Sequence, residues 1–302
     1  MIDINLLREN PEAIRESQRA RGSQVEIVDQ AQEADKAWRK ALVEYESLRA
    51  EQNAKSKLVA SAPKEEKAAL IAEGKALAEQ VKTAEALAAE KEKELSDIVW
   101  KIENVVITGV PVGGEDDYVV IREEGTKPSF SFAPQDHVAL GESLDLIDIE
   151  RGAKISGSRF YFLKGWGARL ELALMNLALD QASKAGFTAL ITPTLVKPEV
   201  MAGTGFLGAH ADEIYYLPAD DLYLTGTSEV ALAGYHSDEI IDLSDGPKRY
   251  AGWSTCYRRE AGSHGKDTRG ILRVHQFNKL EMFSYVAPED AEAEHAKLLA
   301  WQ

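Results

Sequence analysis

Two stretches of the chain repeat apolar residues with the period of a supercoiled helix. Ile27, Ala31, Ala34, Trp38, Ala41, Tyr45 and Leu48 alternate at spacings of four and three. Leu70, Gly74, Leu77, Val81, Ala84, Ala88, Lys91, Leu95 and Ile98 do the same. That spacing makes the seam of a coiled coil. Between the two stands Ser61-Ala62-Pro63, with the proline at a plausible first helical position. Two heptad helices joined by one short turn must lie antiparallel, and at their length the hairpin reaches roughly 50 Å. The seam is alanine-rich, so close helix spacing and modest stability are expected. A short helix over 3–20 precedes it, opened by Asp3, with Pro11 able to start a fresh helix. A hairpin of this kind buries little core for its length. It is either an arm that reaches a partner or an oligomerisation coiled coil, and this half of the chain leaves both open.

The break in habit comes near residue 104. Residues 1–104 hold only Gly22 and Gly74 of the 22 glycines. They carry 17 basic and 21 acidic residues, net −4, against −11 for the remainder. Basic side chains such as Arg39, Lys40, Arg49, Lys55, Lys57, Lys64, Lys67 and Lys75 are interspersed with acids, the pattern of a solvated face. Two domains follow, 1–104 and 105–302. The whole chain of 302 residues is net −15, which excludes a generic polyanion binder but not one local basic face. Cys256 is the single cysteine, so no intramolecular disulfide forms and a reducing, cytoplasmic location is expected. The N-terminus does not read as a signal peptide, and no run of 18 apolar residues exists to span a membrane.

Residues 105–302 read as α+β. Glu103 to Arg122, Ser158 to Leu163, and 213–217, 222–225, 248–259 and 271–285 are expected strands. Ala168 to Ala185 is an expected helix with Leu170, Leu174, Leu177 and Ala178 on one face. Late strands follow one another directly, as in an antiparallel sheet. Several glycine patterns fail as nucleotide loops. Gly262 to Thr268 lacks the P-loop spacing, and Gly203-Thr204-Gly205-Phe206-Leu207-Gly208 lacks a strand–loop–helix context. Gly165-Trp166-Gly167 reads as a helix cap. Histidines 137, 210, 236, 264, 275 and 295 show no zinc-ligand pairing, so no metal site is expected from them. Cys256 reads as a small buried hydrophobe.

The stretch from Cys256 to Phe283 carries more chemistry. It reads as a strand, a polar Gly-rich loop and a returning strand. Arg258 and Glu260 are two apart, and Arg273, Phe277 and Glu281 four apart, so one sheet face collects two arginines, two glutamates and a phenyl ring. Guanidinium groups match phosphate oxygens and the ring offers a stacking platform. Such a face can hold a nucleoside triphosphate; the alternative is a salt-bridged surface hairpin.

This stretch resembles motif 2 of class II aminoacyl-tRNA synthetases in the seryl form: an Arg-x-Glu strand, a loop, and an Arg-x-His-Gln-Phe-x-x-x-Glu strand. Gly186 to Pro193 resembles motif 1, the dimer segment of that class. Gly203-Thr204-Gly205-Phe206 resembles a downstream family loop, and Thr225 to Val230 its serine-site Thr-x-Glu segment. The N-terminal hairpin matches the family's tRNA-binding arm. Asn278 stands where bacterial members carry Asp, and Tyr257 where Phe is usual. Motif 3, the family's Gly-rich strand–helix, has no counterpart before Trp301-Gln302.

The resemblance implies an antiparallel catalytic sheet flanked by helices, incomplete at its C-terminal end, preceded by the coiled-coil arm. It implies a serine–tRNA ligase that joins L-serine to ATP as seryl-adenylate, then transfers serine to the 3′ end of serine tRNA. By the same resemblance Arg258 contacts the α-phosphate and the serine carboxylate and is the principal catalytic residue. The ATP set is Arg258, Arg259, Glu260, Arg273, Val274 and Phe277, with Glu260 on the adenine edge, Phe277 stacked and Arg273 on the phosphate tail. Arg259, facing away from a regular strand, takes a backbone or loop role. Thr227, Ser228, Glu229, Arg258 and Glu281 form the serine set. ATP acts with Mg²⁺, whose ligands are expected beyond residue 302, and the chain pairs as a homodimer through motif 1. The 302-residue chain alone is expected to be inactive; if it ends at Gln302, a non-catalytic tRNA- or nucleotide-binding relative is the alternative.

Overall fold

The structure, a computed structural model, describes residues 2–63, 65–114, 116–208, 211–261 and 269–301. His210, His264 and the 262–268 loop lie outside the described residues. The chain forms two compact units, Met1–Thr126 and Lys127–Gln302.

The first unit opens with α1 (Ile4–Glu9) and α2 (Pro11–Arg21). The Asp3 carboxylate accepts from Asn5 N at 2.8 Å and caps α1. Asn10 caps α2, with Pro11 as its first residue. Two long helices follow, α3 (Glu26–Ser61) of 36 residues and α4 (Lys67–Val99) of 33, packed against each other as a hairpin. The expected seam is the buried one: Ile27, Ala31, Ala41, Leu77, Val81, Ala84, Ala88 and Leu95 are all under a tenth exposed. Ala34, Trp38, Tyr45, Leu48, Leu70, Gly74, Lys91 and Ile98 are half-buried, and the Lys91 ammonium pairs with Glu94 at 2.9 Å. Polar ties cross the thin seam, Tyr45 to Glu85 at 3.2 Å and Lys55 to Glu73 at 2.6 Å. At the base Leu7 and Ile14 pack with Ile27, Val28, Leu95, Val99 and Ile102. There the buried Asp35 carboxylate receives Arg8 at 2.6 Å and Arg39 at 2.9 Å.

The segment after α4 departs from expectation. The pattern of Glu103 to Arg122 predicts strands, yet no described residue there is in a strand. Instead Val106 N donates to Ser17 Oγ at 2.8 Å and Arg21 Nε to Asn104 O at 2.9 Å, tying the segment to α2. β-branched residues favour strands only where a pleated neighbour exists, and the described residues of this unit offer none. The compact unit therefore runs past residue 104 to Thr126.

The second unit begins with α5 (His137–Ser143), β1 (Ile147–Asp148), α6 (Ile149–Ser156) and β2 (Phe162–Leu163). α7 (Trp166–Lys184), β3 (Thr188–Ile191), β4 (Leu195–Val196) and α8 (Pro198–Gly203) follow. Then come β5 (Tyr216–Leu217), β6 (Leu222–Leu224), α9 (Glu229–Ala233), β7 (Lys248–Tyr257), β8 (Gln276–Tyr285) and α10 (Ala291–Trp301). The principal sheet has the order β3-β7-β8. β7 and β8 run antiparallel in a ten-residue ladder from Lys248↔Tyr285 to Tyr257↔Gln276. β3 joins parallel to β7, so this sheet is mixed rather than purely antiparallel. A small antiparallel sheet β4-β6-β5 stands beside it. Ala182, Phe187 and Ala251 form the core under the main sheet, with Leu280, Met282 and Leu298 packed on it. The leucine stripe of α7 lies elsewhere: Leu170, Leu174 and Leu177 are more than half exposed, and Leu179 and Ala182 make the contact instead. The expected strand at 158–163 shrinks to two residues, and the strand expected from 271 starts at Gln276.

Candidate active site

The open end of the β7–β8 ladder builds the site. Beyond its last pair the two chains stay tied: Arg258 N donates to His275 O at 3.0 Å, and His275 Nδ1 donates to Arg258 O at 2.9 Å. Tyr257 N donates to Thr225 O at 2.9 Å, which brings the 225–228 turn alongside. α9 then lies against the sheet because Gly252 carries no side chain; a Cβ there would stand 2.8 Å from Leu232 Cδ1. Ser228 Oγ donates to Gly252 O at 3.0 Å and fixes the start of α9.

Five of the six residues expected for ATP, Arg258, Glu260, Arg273, Val274 and Phe277, line one cavity of about 330 Å³ with Tyr161. The Arg258 guanidinium carbon lies 5.1 Å from the Phe277 ring centroid, and Arg258 Nε donates to Gly226 O at 3.3 Å. Glu260 is nearly buried and pairs with Arg273 at 2.7 Å and Arg159 at 3.9 Å. Strand alternation is not what joins Glu260 to Arg273, because neither residue is in a strand. Glu260 sits at φ 52, a left-handed conformation unusual for a residue with a side chain. That turn aims its carboxylate at the returning limb. Arg259 is not in the cavity. Its N–H donates to Glu213 O at 2.9 Å, and its guanidinium stands 6.0 Å from the Tyr215 ring centroid.

The serine set gathers only in part. Thr227 Oγ1 donates to Glu281 Oε2 at 2.9 Å and accepts from Glu229 N at 3.2 Å. Ser228 is fully buried with its hydroxyl spent on the sheet backbone, and the Glu229 side chain is exposed at the head of α9. The sequence reading missed Lys279. Its ammonium ion-pairs with Glu281 and donates to Thr227 Oγ1 at 3.0 Å. The signal was present: Lys279 lies midway between Phe277 and Glu281 on the same strand face. Tyr161 was missed too, in a stretch read only as strand; burial pushes its phenol up. Burial likewise raises the Cys256 thiol, against a smaller opposing pull from Lys279, so Cys256 is inert packing. Among the described residues no three His, Cys, Asp or Glu side chains group to hold a metal ion.

Known proteins match along the whole chain. The Seryl-tRNA synthetase N-terminal domain matches residues 1–106, and the tRNA synthetase class II core domain (G, H, P, S and T) matches 216–300. The serine–tRNA ligase of Clavibacter michiganensis subsp. michiganensis is 65 % identical over 302 residues, all of this chain and 71 % of that protein. That of Leifsonia xyli subsp. xyli is 64 % identical, over all of this chain and 72 % of its own length. Among solved structures, seryl-tRNA synthetase from Pyrococcus horikoshii complexed with ATP superposes with a TM-score of 0.85. It is 36 % identical, covering 99 % of this chain and 73 % of that one. With relatives this similar over more than two thirds of their length, the chain belongs to the seryl-tRNA synthetase family.

Proposed function

We propose that this site joins L-serine to ATP as seryl-adenylate with release of pyrophosphate, and that the seryl group then passes to the 3′ end of serine tRNA. The observation that carries the reading is the position of Arg258. It stands over Phe277 in the nucleotide cavity, and its Nε is bonded to the turn that bears Thr227. One guanidinium thus faces both reactants.

In the first step a serine carboxylate oxygen forms the bond to the α-phosphorus and the bond to the pyrophosphate oxygen breaks. Negative charge grows between them, and Arg258 is fixed beforehand to meet it. In the second, the tRNA 3′-hydroxyl attacks the acyl carbon, AMP leaves and the hydroxyl proton is lost. Glu281 and Thr227 take the serine ammonium, a role that Lys279 fills in the unliganded chain. Glu260 reads the adenine edge and Arg273 the phosphate tail, so their mutual ion pair is a resting contact that the nucleotide replaces. The residues described do not supply a ligand set for the implied Mg²⁺, and no step is routed through it.

Serine-dependent exchange of labelled pyrophosphate into ATP, measured on the protein at its native length, tests the reading. Exchange is expected; its absence with ATP still bound would favour a non-catalytic relative, in which arginines such as Arg258 and Arg273 are usually lost. Phe277→Ala is expected to raise the KM for ATP by about tenfold, the loss of one base–aromatic stack, with little change for serine. An unchanged KM for ATP would remove Phe277 from the adenine site.

The α3–α4 hairpin is the arm for serine tRNA, and a double-helical RNA stem is met through shape and phosphates. Lys57, Lys67 and Lys75 are exposed toward the turn between α3 and α4. Binding of serine tRNA, followed by filter retention, is expected to weaken by at least about a power of ten between 50 and 200 mM salt. Affinity flat across that range would count against the arm. The exposed Leu170, Leu174 and Leu177 face and Ile191, 87 % exposed on β3, support a homodimer through motif 1. No helix among the described residues is long and apolar enough to cross a membrane.

A further inference from the structure

The wall of the nucleotide cavity formed by residues 271–274 belongs to no strand, since β8 begins at Gln276. Something must hold it. At its far end His275 is tied to Arg258. At its near end the tether comes from a remote element. His137, the first residue of α5, accepts a hydrogen bond at Nε2 from Ile271 N at 3.1 Å. Because Nε2 accepts, the ring proton sits on Nδ1. The contact is close. Gly270 has φ +83, and a Cβ there would overlap His137 Nε2 and come within 2.7 Å of Val138 Cγ2. Beside it Asp136 pairs with Arg269 at 2.9 Å while capping α5 through Ala139 N. That exposed pair adds little. Gly270 lies against Val138, so the near end of the limb is seated on α5, and Val274 near its far end is buried, while Leu272 between them is exposed.

We infer that His137 is a positioning residue for ATP: by accepting from Ile271 N–H it sets the depth at which Arg273 and Val274 meet the nucleotide. It touches no reactant itself. The inference rests on the function proposed for this site, and it predicts an effect on ATP that serine does not share. Its residues occur in one place in the fold but 134 positions apart in sequence, which is why the motif pattern does not reveal the link.

The test compares His137→Met, which keeps length without an acceptor of comparable strength, with His137→Gln, whose Oε1 reaches the place of Nε2. ATP affinity is read by titration calorimetry on the protein at its native length, which needs no turnover. Serine-dependent exchange on the unaltered protein separately tests the function. His137→Met is expected to weaken ATP binding about fivefold, the loss of one hydrogen bond, and His137→Gln to recover most of it. The KM for serine should move less than about twofold in either variant. Gly270→Ala approaches the same contact from the other side: its Cβ would push the His137 ring off Ile271 N, and it should weaken ATP binding with the His137 side chain unaltered. ATP affinity unchanged in His137→Met and Gly270→Ala would overturn the inference. So would equal losses for Met and Gln, or a matching loss in serine, since these mark a general structural role.

Discussion

Arg258→Ala is expected to lower serine-dependent pyrophosphate exchange by about two to three powers of ten, the usual effect of deleting one preorganised donor to developing charge. The loss should fall mainly on kcat, because the charge Arg258 meets is largest in the transition state. The truncation should leave the site standing. The Arg258 main chain is held on both sides, by its N–H to His275 O and by its carbonyl from His275 Nδ1, and neither bond uses the side chain. Arg258→Lys keeps the charge but not the planar fork, and it loses the Nε bond to Gly226 O. An intermediate rate is expected for it. A loss of tenfold or less for Arg258→Ala, in a variant with the melting curve of the unaltered protein, would show that the guanidinium is not the principal catalytic group.

What the sequence made legible follows the range of its rules. Heptad spacing is a local rule, so it located the α3–α4 seam: every position it named is buried or half-buried, Lys91 included. Strand alternation is local too. It placed Phe277 and Glu281 on one face, and it would have placed Lys279 there had the charge been weighed. It does not reach past a strand's end. Glu260 and Arg273 are expected on one face by strand spacing, and they do meet, but through a left-handed turn and an irregular limb that the rule does not describe. A motif, in turn, says nothing about direction. Thr227, Ser228 and Glu229 are consecutive, yet one hydroxyl faces the pocket, the next is buried on Gly252 O, and the carboxylate is in solvent. Partners remote in sequence stay hidden from both kinds of reading. The strand-like run at 103–122 lacked a neighbour to pair with, and β3 found a parallel one in β7 across some sixty residues.

The largest stability effect is expected at the other end of the ladder, where Arg249→Ala should destabilise the second unit by about 3 kcal/mol at pH 7. Arg249 Nε and Nη2 grip the two oxygens of Glu294 at 2.5 and 2.7 Å, and Ser284 Oγ adds a third bond at 3.0 Å. Glu294 is almost wholly buried, its side chain only 3 % exposed. Hydrogen bonding by Arg249 outweighs burial and lowers its carboxyl from 4.5 to about 2. The sign follows. A carboxyl more acidic in the folded chain than in the unfolded one stabilises the fold above pH 4.5, and that gain is lost as pH falls from 4.5 towards 2. Without Arg249 the buried carboxylate keeps Ser284 and the more exposed Lys297, 3.6 Å away, so it should titrate higher and the acid-labile gain should shrink. Arg249 also stacks on Trp301, whose ring packs perpendicular to that of Phe187, so its loss loosens α10 from the sheet core as well. Urea unfolding of the protein and of Arg249→Ala at pH 7 and pH 3 measures both effects. The variant should be less stable at pH 7 and lose less on acidification. Equal acid sensitivity in the two proteins would show that the Arg249–Glu294 pair does not set the acid limb of stability.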